Sequence, residues 1–249
     1  MGMGQISLLA ILALALLPSL GNLIGIALAE WRKPPDWLVG GAMHAAAGIA
    51  TAVAAVELIP RSQERVETWI LALALIGGAI CSAGIAKATR LLRARLKSSA
   101  SRATTWGAYA AVGVDLFTDG LITGGGGAVA TSLGVLLAVS QVVGNLPGGF
   151  AIAANFRSAD IPRVHRWSAL ALYPFLPVLG ALAGYAVLAD AGEVLTGSVL
   201  ALFAGLLLTA TIEDIVPEAD QPQAPRRVSS TAFALGFAAL LLTSAYLGE

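Results

Sequence analysis

Residues 47–60 read AGIATAVAAVELIP, and residues 204–217 read AGLLLTATIEDIVP. Both stretches begin with Ala-Gly and end with an acidic residue, two aliphatic residues and a proline. The acid is Glu57 in the first stretch and Asp214 in the second, and the two stretches align without a gap. This internal repeat predicts two units of the same structure, one in each half of the chain. Chance similarity is the alternative, because Ala, Gly and Leu are common throughout the sequence.

The composition is that of a membrane protein. Of the 249 residues, 57% are hydrophobic and 12% are charged, whereas soluble domains have about 25% charged residues. Eight runs are close to the ~20 apolar residues that cross a bilayer as a helix. We number them segments 1 to 8: residues 5–29, 37–59, 67–89, 104–124, 127–154, 167–189, 194–216 and 229–247. We expect an all-α polytopic membrane protein with eight transmembrane helices in one domain, residues 1–249, and no nucleic-acid partner.

The lysines and arginines predict how the chain is oriented. All but two of the 15 lie in or beside the connections after segments 1, 3, 5 and 7, the exceptions being Arg61 and Arg65. Positive charge marks the cytoplasmic side, so we expect both termini outside, with the protein in the plasma (inner) membrane. We expect segment 1 to be a membrane span and not a cleaved signal peptide, because no positive charge precedes it.

In this topology segments 2 and 7 cross the membrane in opposite directions. Segments 1–3 and 6–8 are therefore predicted to form an inverted repeat around segments 4 and 5. Inverted repeats are typical of transporters, whose substrate sites lie near the middle of the membrane in interrupted helices.

Segment 4 contains two carboxylates in the stretch VDLFTDGLITGGGG, residues 114–127. Asp115 and Asp119 are four residues apart, so they share one face of a helix, with Thr118 beside them. A carboxylate at this depth is costly unless it faces protein, water or a cation. Oxygen ligands favour magnesium, manganese or calcium, whereas zinc usually has His or Cys ligands as well. A structural or proton-linked role is the alternative.

Segment 5 has a second polar pair in SQVVGNLPGGFAIA, residues 140–153. Gln141 and Asn145 again lie on one helical face, and Pro147 predicts a kink that frees backbone carbonyls. We predict a metal site made by Asp115, Asp119 and Asn145, with Gln141 and Thr118 as accessory residues. The alternative for the two amides is hydrogen bonding between helices.

Four further polar residues are candidates for the transport pathway. His44 could be a ligand or a proton relay, or it could make an ordinary hydrogen bond between helices. Glu57, Glu213 and Asp214 lie near segment ends, where they could line cation-attracting vestibules. Their alternative role is that of solvated helix ends.

Five motifs resemble those of the ZIP (Zrt/Irt-like) family of divalent-metal transporters, and the resemblance covers nearly the whole chain. They are HAAAGIATAVAAVELIP at 44–60, DLFTDG at 115–120, GNLPGG at 144–149, LGALAGY at 179–185 and TATIEDIVPEA at 209–219. The resemblance implies eight spans with both ends outside, a two-metal site between the fourth and fifth helices, and a sliding or rocking transport cycle.

The chain departs from the family at the metal site. Asp115, Asp119 and Asn145 fall on family ligand positions with a side chain that can bind a cation. Leu116, Gly144 and Gly148 stand where the family has ligands. The resemblance therefore implies a reduced site with oxygen ligands alone.

These features predict transport of a divalent metal cation such as zinc, manganese or magnesium. The cation is the substrate, and no obligatory cofactor is expected. The expected partners are the lipid bilayer and the metal ion, and a homodimer is one assembly open to the chain. Two alternatives remain: transport of protons or another solute, and a ZIP-like membrane protein that does not transport. An enzyme is not expected.

Overall fold

The computed structural model describes residues 7–31, 35–95, 101–221 and 225–247. Within these ranges the regular structure is entirely helical. Seven of the described helical stretches are long and apolar enough to cross a membrane. The chain is therefore a helical polytopic membrane protein.

Each of the eight apolar segments forms a helix or a run of consecutive helices. The helices are α1 (Leu8–Ala15), α2 (Leu17–Trp31), α3 (Asp36–Ala52), α4 (Ile59–Gln63), α5 (Thr68–Arg95), α6 (Ser101–Val129), α7 (Thr131–Ser158), α8 (Arg163–Leu170), α9 (Phe175–Leu188), α10 (Glu193–Ala210), α11 (Val216–Asp220) and α12 (Arg226–Leu247). Segment 1 comprises α1 and α2, segment 6 comprises α8 and α9, and segments 3, 4, 5 and 8 are α5, α6, α7 and α12.

Segments 2 and 7 contain the same irregularity at the same place. Between α3 and α4 lies a π-helical turn, Val53–Leu58, and between α10 and α11 lies another, Thr211–Ile215. A proline occupies the second position of the short helix after each turn, and it has no N–H to donate to the preceding turn. Such π-turns are rare in proteins, and those that occur often lie at functional sites. The repeated sequence thus adopts a repeated backbone.

The helices pack most closely in four pairs. Segment 1 packs against segment 5 and segment 4 against segment 6, while segment 2 packs against segment 8 and segment 7 against segment 3. Segments 4 and 5 also contact each other. The result is one group made of segments 1, 4, 5 and 6 and a second group made of segments 2, 3, 7 and 8.

Glycines set the close approach inside the second group. A Cβ atom on Gly48 of segment 2 would overlap the Phe233 carbonyl oxygen of segment 8, and one on Gly205 of segment 7 would overlap the Leu75 carbonyl oxygen of segment 3. Gly48 and Gly205 are equivalent in the sequence repeat. Reciprocal contacts join Gly236 to Ala45 and Gly78 to Leu202. Small residues allow transmembrane helices to approach in this way.

Helix α6 differs from the other long helices in its composition. It has 29 residues, yet it is not among the seven described stretches that are apolar enough for a membrane span. Asp115 and Asp119 lie in the middle of this helix and lower its hydropathy. The helix contacts α1, α2, α7 and α9 of the first group and α5 of the second.

Candidate functional site

A cavity of about 590 Å³ lies between the two helix groups and is lined by segments 2, 3, 4, 5 and 7. Most of the residues predicted for the site line this cavity: Asp115, Thr118, Asp119, Gln141, Asn145, Pro147, Glu213 and Asp214. The i, i+4 spacing in segments 4 and 5 explains this arrangement, because it puts each polar pair on one helical face. The structure therefore brings the two pairs together at one cavity.

Asp115 and Asp119 are carboxyl groups on the segment 4 wall of the cavity. The Asp115 side chain is exposed on that wall, and Asp119 is half-buried. The two carboxyl groups are close enough to repel each other when both are ionised, and Asp214 of segment 7 and Glu218 of α11 are close enough to Asp115 to repel it. The cavity is consequently lined by several acidic side chains, and Arg90 of α5 also lies on its wall.

The acids of the cavity are too dispersed to form a metal centre by themselves. Among the described residues, no group of three or more His, Cys, Asp or Glu side chains is close enough to hold a metal ion. A cation bound by Asp115 and Asp119 would therefore need neutral oxygens or water to complete its coordination. Divalent cations such as Mg²⁺ keep several waters in sites of this kind.

Asn145 faces Asp119 with its nitrogen and not with its oxygen. Asn145 Nδ2 donates hydrogen bonds to Asp119 Oδ2 at 2.6 Å and to the Gln141 carbonyl oxygen at 2.9 Å. An amide NH₂ group donates and cannot bind a cation. In this state Asn145 holds the carboxylate, and the predicted ligand role requires the amide to rotate by half a turn.

Asn22 of segment 1 is a site residue that the sequence analysis missed. Its Nδ2 donates to Asn145 Oδ1 at 3.0 Å, and the whole residue is buried. The signal in the sequence was a single amide in an otherwise apolar stretch, SLGNLIG. Asn22 therefore supplies a donor to the oxygen of the Asn145 amide.

Gln141 connects segments 4 and 5 through both ends of its amide. Gln141 Nε2 donates to the backbone oxygen of Asp119 at 3.1 Å, and Thr123 Oγ1 donates to Gln141 Oε1 at 2.7 Å. This is the interhelical hydrogen bonding that was the alternative for this residue. Thr118 Oγ1 donates to the Val114 carbonyl oxygen at 3.0 Å, which leaves its lone pairs for another partner.

Helix α7 continues through the predicted kink as one α-helix. Pro147 lies inside the helix Thr131–Ser158 and does not end it, and the kink itself stays a prediction. Gly144, one turn before, lines the cavity, and apart from the nearby backbone of its own helix no described atom lies within 4 Å of where its Cβ would be. The segment 5 wall therefore leaves space for water or a hydrated ion.

The two ends of the cavity differ. One end reaches three exposed acids at and just after the end of segment 7, Glu213, Asp214 and Glu218. The other end meets a buried apolar cluster that includes Val53, Leu58, Ile122, Leu133 and Leu137. Val53, Ile122 and Leu137 belong both to this cluster and to the cavity wall. The cavity wall is thus acidic near the end of segment 7 and apolar where it meets this cluster.

His44 and Glu57 are the predicted pathway residues that do not line the described cavity. His44 Nδ1 lies 2.8 Å from the Gly40 carbonyl oxygen, and Nε2 lies 3.4 Å from Asp220 Oδ1. Glu57 is buried and pairs with Arg61 Nε at 3.0 Å and with the Ser244 hydroxyl. Their pathway roles stay predictions.

No protein-family model matches the chain, and no curated protein matches it. The class that the fold and the cavity define is therefore a helical membrane protein with an acidic cavity between two groups of helices.

Proposed function

We propose that the chain is a ZIP-like transporter of divalent metal cations whose substrate site lies between segments 4 and 5. The observation that carries the proposal is the position of Asp115 and Asp119 on the wall of the cavity of about 590 Å³. Uncompensated carboxylates at membrane depth are costly. Because the two acids repel each other, a bound cation stabilises both at once.

The chemistry of the cavity favours a cation that accepts oxygen ligands. Asp115 and Asp119 supply charge, Thr118 supplies a neutral oxygen, and the space at Gly144 admits water. Asn145 supplies an amide oxygen once its amide has rotated. Magnesium, manganese and calcium suit such ligands. Zinc suits them less, because it usually has nitrogen or sulfur ligands.

Eight spans and an inverted repeat belong to the same proposal. Helix α6 has 29 residues, which at 1.5 Å per residue makes it about 43 Å long, and a bilayer core is about 30 Å thick. We therefore count it as the eighth span. The matching π-turns of segments 2 and 7 support the repeat. So do the matching glycine contacts of segment 2 with segment 8 and of segment 7 with segment 3.

Transport of protons or a polar solute is the second candidate. The observation in its favour is the hydrogen bond from Asn145 to Asp119, which satisfies part of the carboxylate without any cation. A ZIP-like protein without transport is disfavoured by the cavity, because a purely structural contact between segments 4 and 5 has no need of a polar opening.

Both termini are expected outside the plasma membrane, so the acidic end of the cavity opens toward the cytoplasm. The reason is the distribution of positive charge over the connections. A reporter fused after Glu249 should read as external in intact cells, and one placed in the connection between segments 3 and 4 should read as cytoplasmic. A cytoplasmic reading for the carboxyl terminus would overturn this orientation.

Uptake into liposomes tests the function directly. Purified protein should bind at least one of Mg²⁺, Mn²⁺, Zn²⁺ and Cd²⁺ by isothermal titration and should carry that ion into protein-containing vesicles above the rate of empty ones. Proton flux is measured in the same vesicles without metal. Proton flux together with no binding of any of the four ions would favour the second candidate.

A further inference from the structure

Asn22 contains a buried polar atom whose role the hydrogen bonds of this state do not explain. Asn22 Oδ1 is inaccessible to solvent and has no hydrogen-bond partner among the described residues. It lies against the backbone of Gly148, where a Cβ atom would be 3.1 Å from it. A buried acceptor without a donor is unfavourable, and in native proteins it calls for an explanation.

The neighbouring amide explains why this oxygen matters. Asn145 uses its oxygen to accept from Asn22 and its nitrogen to donate to Asp119. A cation beside Asp119 would meet the positive hydrogens of that NH₂ group. For cation binding the Asn145 amide must therefore rotate, and the rotation turns its NH₂ group toward Asn22.

We propose that Asn22 is a positioning residue that sets which end of the Asn145 amide faces Asp119. In the structure both amides point their nitrogens along the chain from Asn22 to Asn145 to Asp119. When a cation binds, both amides rotate by half a turn. The Asn145 oxygen then binds the cation together with Asp119. The Asn145 nitrogen donates to the Asn22 oxygen, which has no partner before the rotation. This inference rests on the proposed cation site.

The hydrogen-bond count favours a concerted rotation over a single one. If Asn145 rotated alone, its NH₂ group would face the NH₂ group of Asn22, and two donors would meet. If both rotate, the contact between the amides is kept with donor and acceptor exchanged, and the Asn22 atom without a partner changes from the oxygen to the nitrogen. The rotation also breaks the hydrogen bond from Asn145 to the Gln141 carbonyl oxygen, and binding of the cation has to compensate for that loss. Gly148 has no side chain at this point, so there is room for Asn22 to rotate.

Asn22→Asp tests the proposal because a carboxylate only accepts hydrogen bonds. It should hold the Asn145 NH₂ group toward position 22 and the Asn145 oxygen toward Asp119. We expect cation binding by isothermal titration to become about tenfold tighter, the value of one well-formed hydrogen bond to a charged group. The added negative charge also attracts cations, so the single variant does not suffice.

The double variant Asn22→Asp/Asn145→Ala separates the two causes. If the gain depends on the Asn145 oxygen, removing that side chain abolishes it, and the double variant binds no more tightly than Asn145→Ala alone. If the gain survives, the charge at position 22 explains it and the positioning role is overturned. Thermal unfolding of each variant checks that it is folded.

Nuclear magnetic resonance of the unaltered protein gives a test that needs no variant at position 22. The chain has three asparagines, Asn22, Asn145 and Asn155, so selective ¹⁵N-asparagine labelling yields three side-chain NH₂ signals. Titration with Mg²⁺, Zn²⁺ or Cd²⁺, whichever binds in calorimetry, should shift the Asn22 and Asn145 signals together with one midpoint. Binding that leaves the Asn22 signal unshifted would overturn the proposal and leave the cation site intact. Failure of all four ions of the calorimetric test to bind would instead count against the proposed function.

Discussion

Asp119→Ala is expected to abolish the binding and uptake of divalent cations while the protein remains folded. Asp119 supplies one of the two charged groups on the segment 4 wall, and it is the one that the amides of segments 1 and 5 position. Loss of an outer partner of a metal ligand already costs about 10–100-fold in affinity. Loss of the charged ligand itself should exceed about 100-fold by isothermal titration and in vesicle uptake.

Two further variants separate the contribution of the Asp119 charge from that of the Asn145 amide. Asp119→Asn keeps the shape and removes the charge, so we expect a loss nearly as large as that of Asp119→Ala. Asn145→Ala should lose about tenfold or less, because water replaces a neutral amide most easily. Asp190→Asn is the matched control, since Asp190 is exposed and the cavity is lined without it. If all four behave like the unaltered protein with every cation, the acid pair is structural or proton-linked.

The acidic half of the site was predictable from the sequence, and the amide half was predictable only in part. Asp115 and Asp119 stand out because their spacing is local and their surroundings are apolar. Asn22 has no such local partner, since Asn145 lies 123 residues further along the chain. Which end of an amide faces a carboxylate depends on contacts of this kind, so no local pattern indicates it.

The fold follows the same division between local and long-range causes. Apolar segment length predicts the helices, and the repeated stretch identifies the two equivalent prolines, Pro60 and Pro217. The π-turns before these prolines were not predicted, because they depend on how a helix accommodates a missing N–H inside a packed group. The neighbours of α6 were also not predicted, because packing between helices depends on residues that lie far apart in the chain.

Glu57 and Asp214 show what the repeat itself leaves open. They are equivalent in sequence, and both lie on a π-turn. Asp214 is exposed at the cavity, whereas Glu57 is buried against Arg61 and Ser244. Under the proposed inverted repeat, this difference corresponds to one open and one closed end of the pathway, as a transporter with alternating access requires. The equivalence of Glu57 and Asp214 in the sequence repeat does not indicate which end is open.

Gly78→Ala is expected to destabilise the protein strongly, and Gly77→Ala is expected not to. A Cβ atom at Gly78 would overlap the carbonyl oxygen of Leu202 in α10, and backbone cannot move aside as a flexible side chain can. Overpacking typically costs about 1–3 kcal/mol. At Gly77, one residue earlier in α5, no described atom lies within 4 Å of the Cβ position. Alanine there should stabilise the helix by up to about 1 kcal/mol.

Thermal unfolding of the two purified variants measures the difference. In a chain of this size about 1 kcal/mol shifts the melting temperature by about 2–4 °C, so Gly78→Ala should melt roughly 5–10 °C below Gly77→Ala. Gly236→Ala should resemble Gly78→Ala, because a Cβ at Gly236 would overlap the Ala45 carbonyl oxygen in the equivalent pair of segments 2 and 8. If Gly78→Ala and Gly236→Ala both have the melting temperature of Gly77→Ala, the close approach of α10 to α5 and of α12 to α3 is wrong. The structural support for the inverted repeat would then be reduced to the two π-turns.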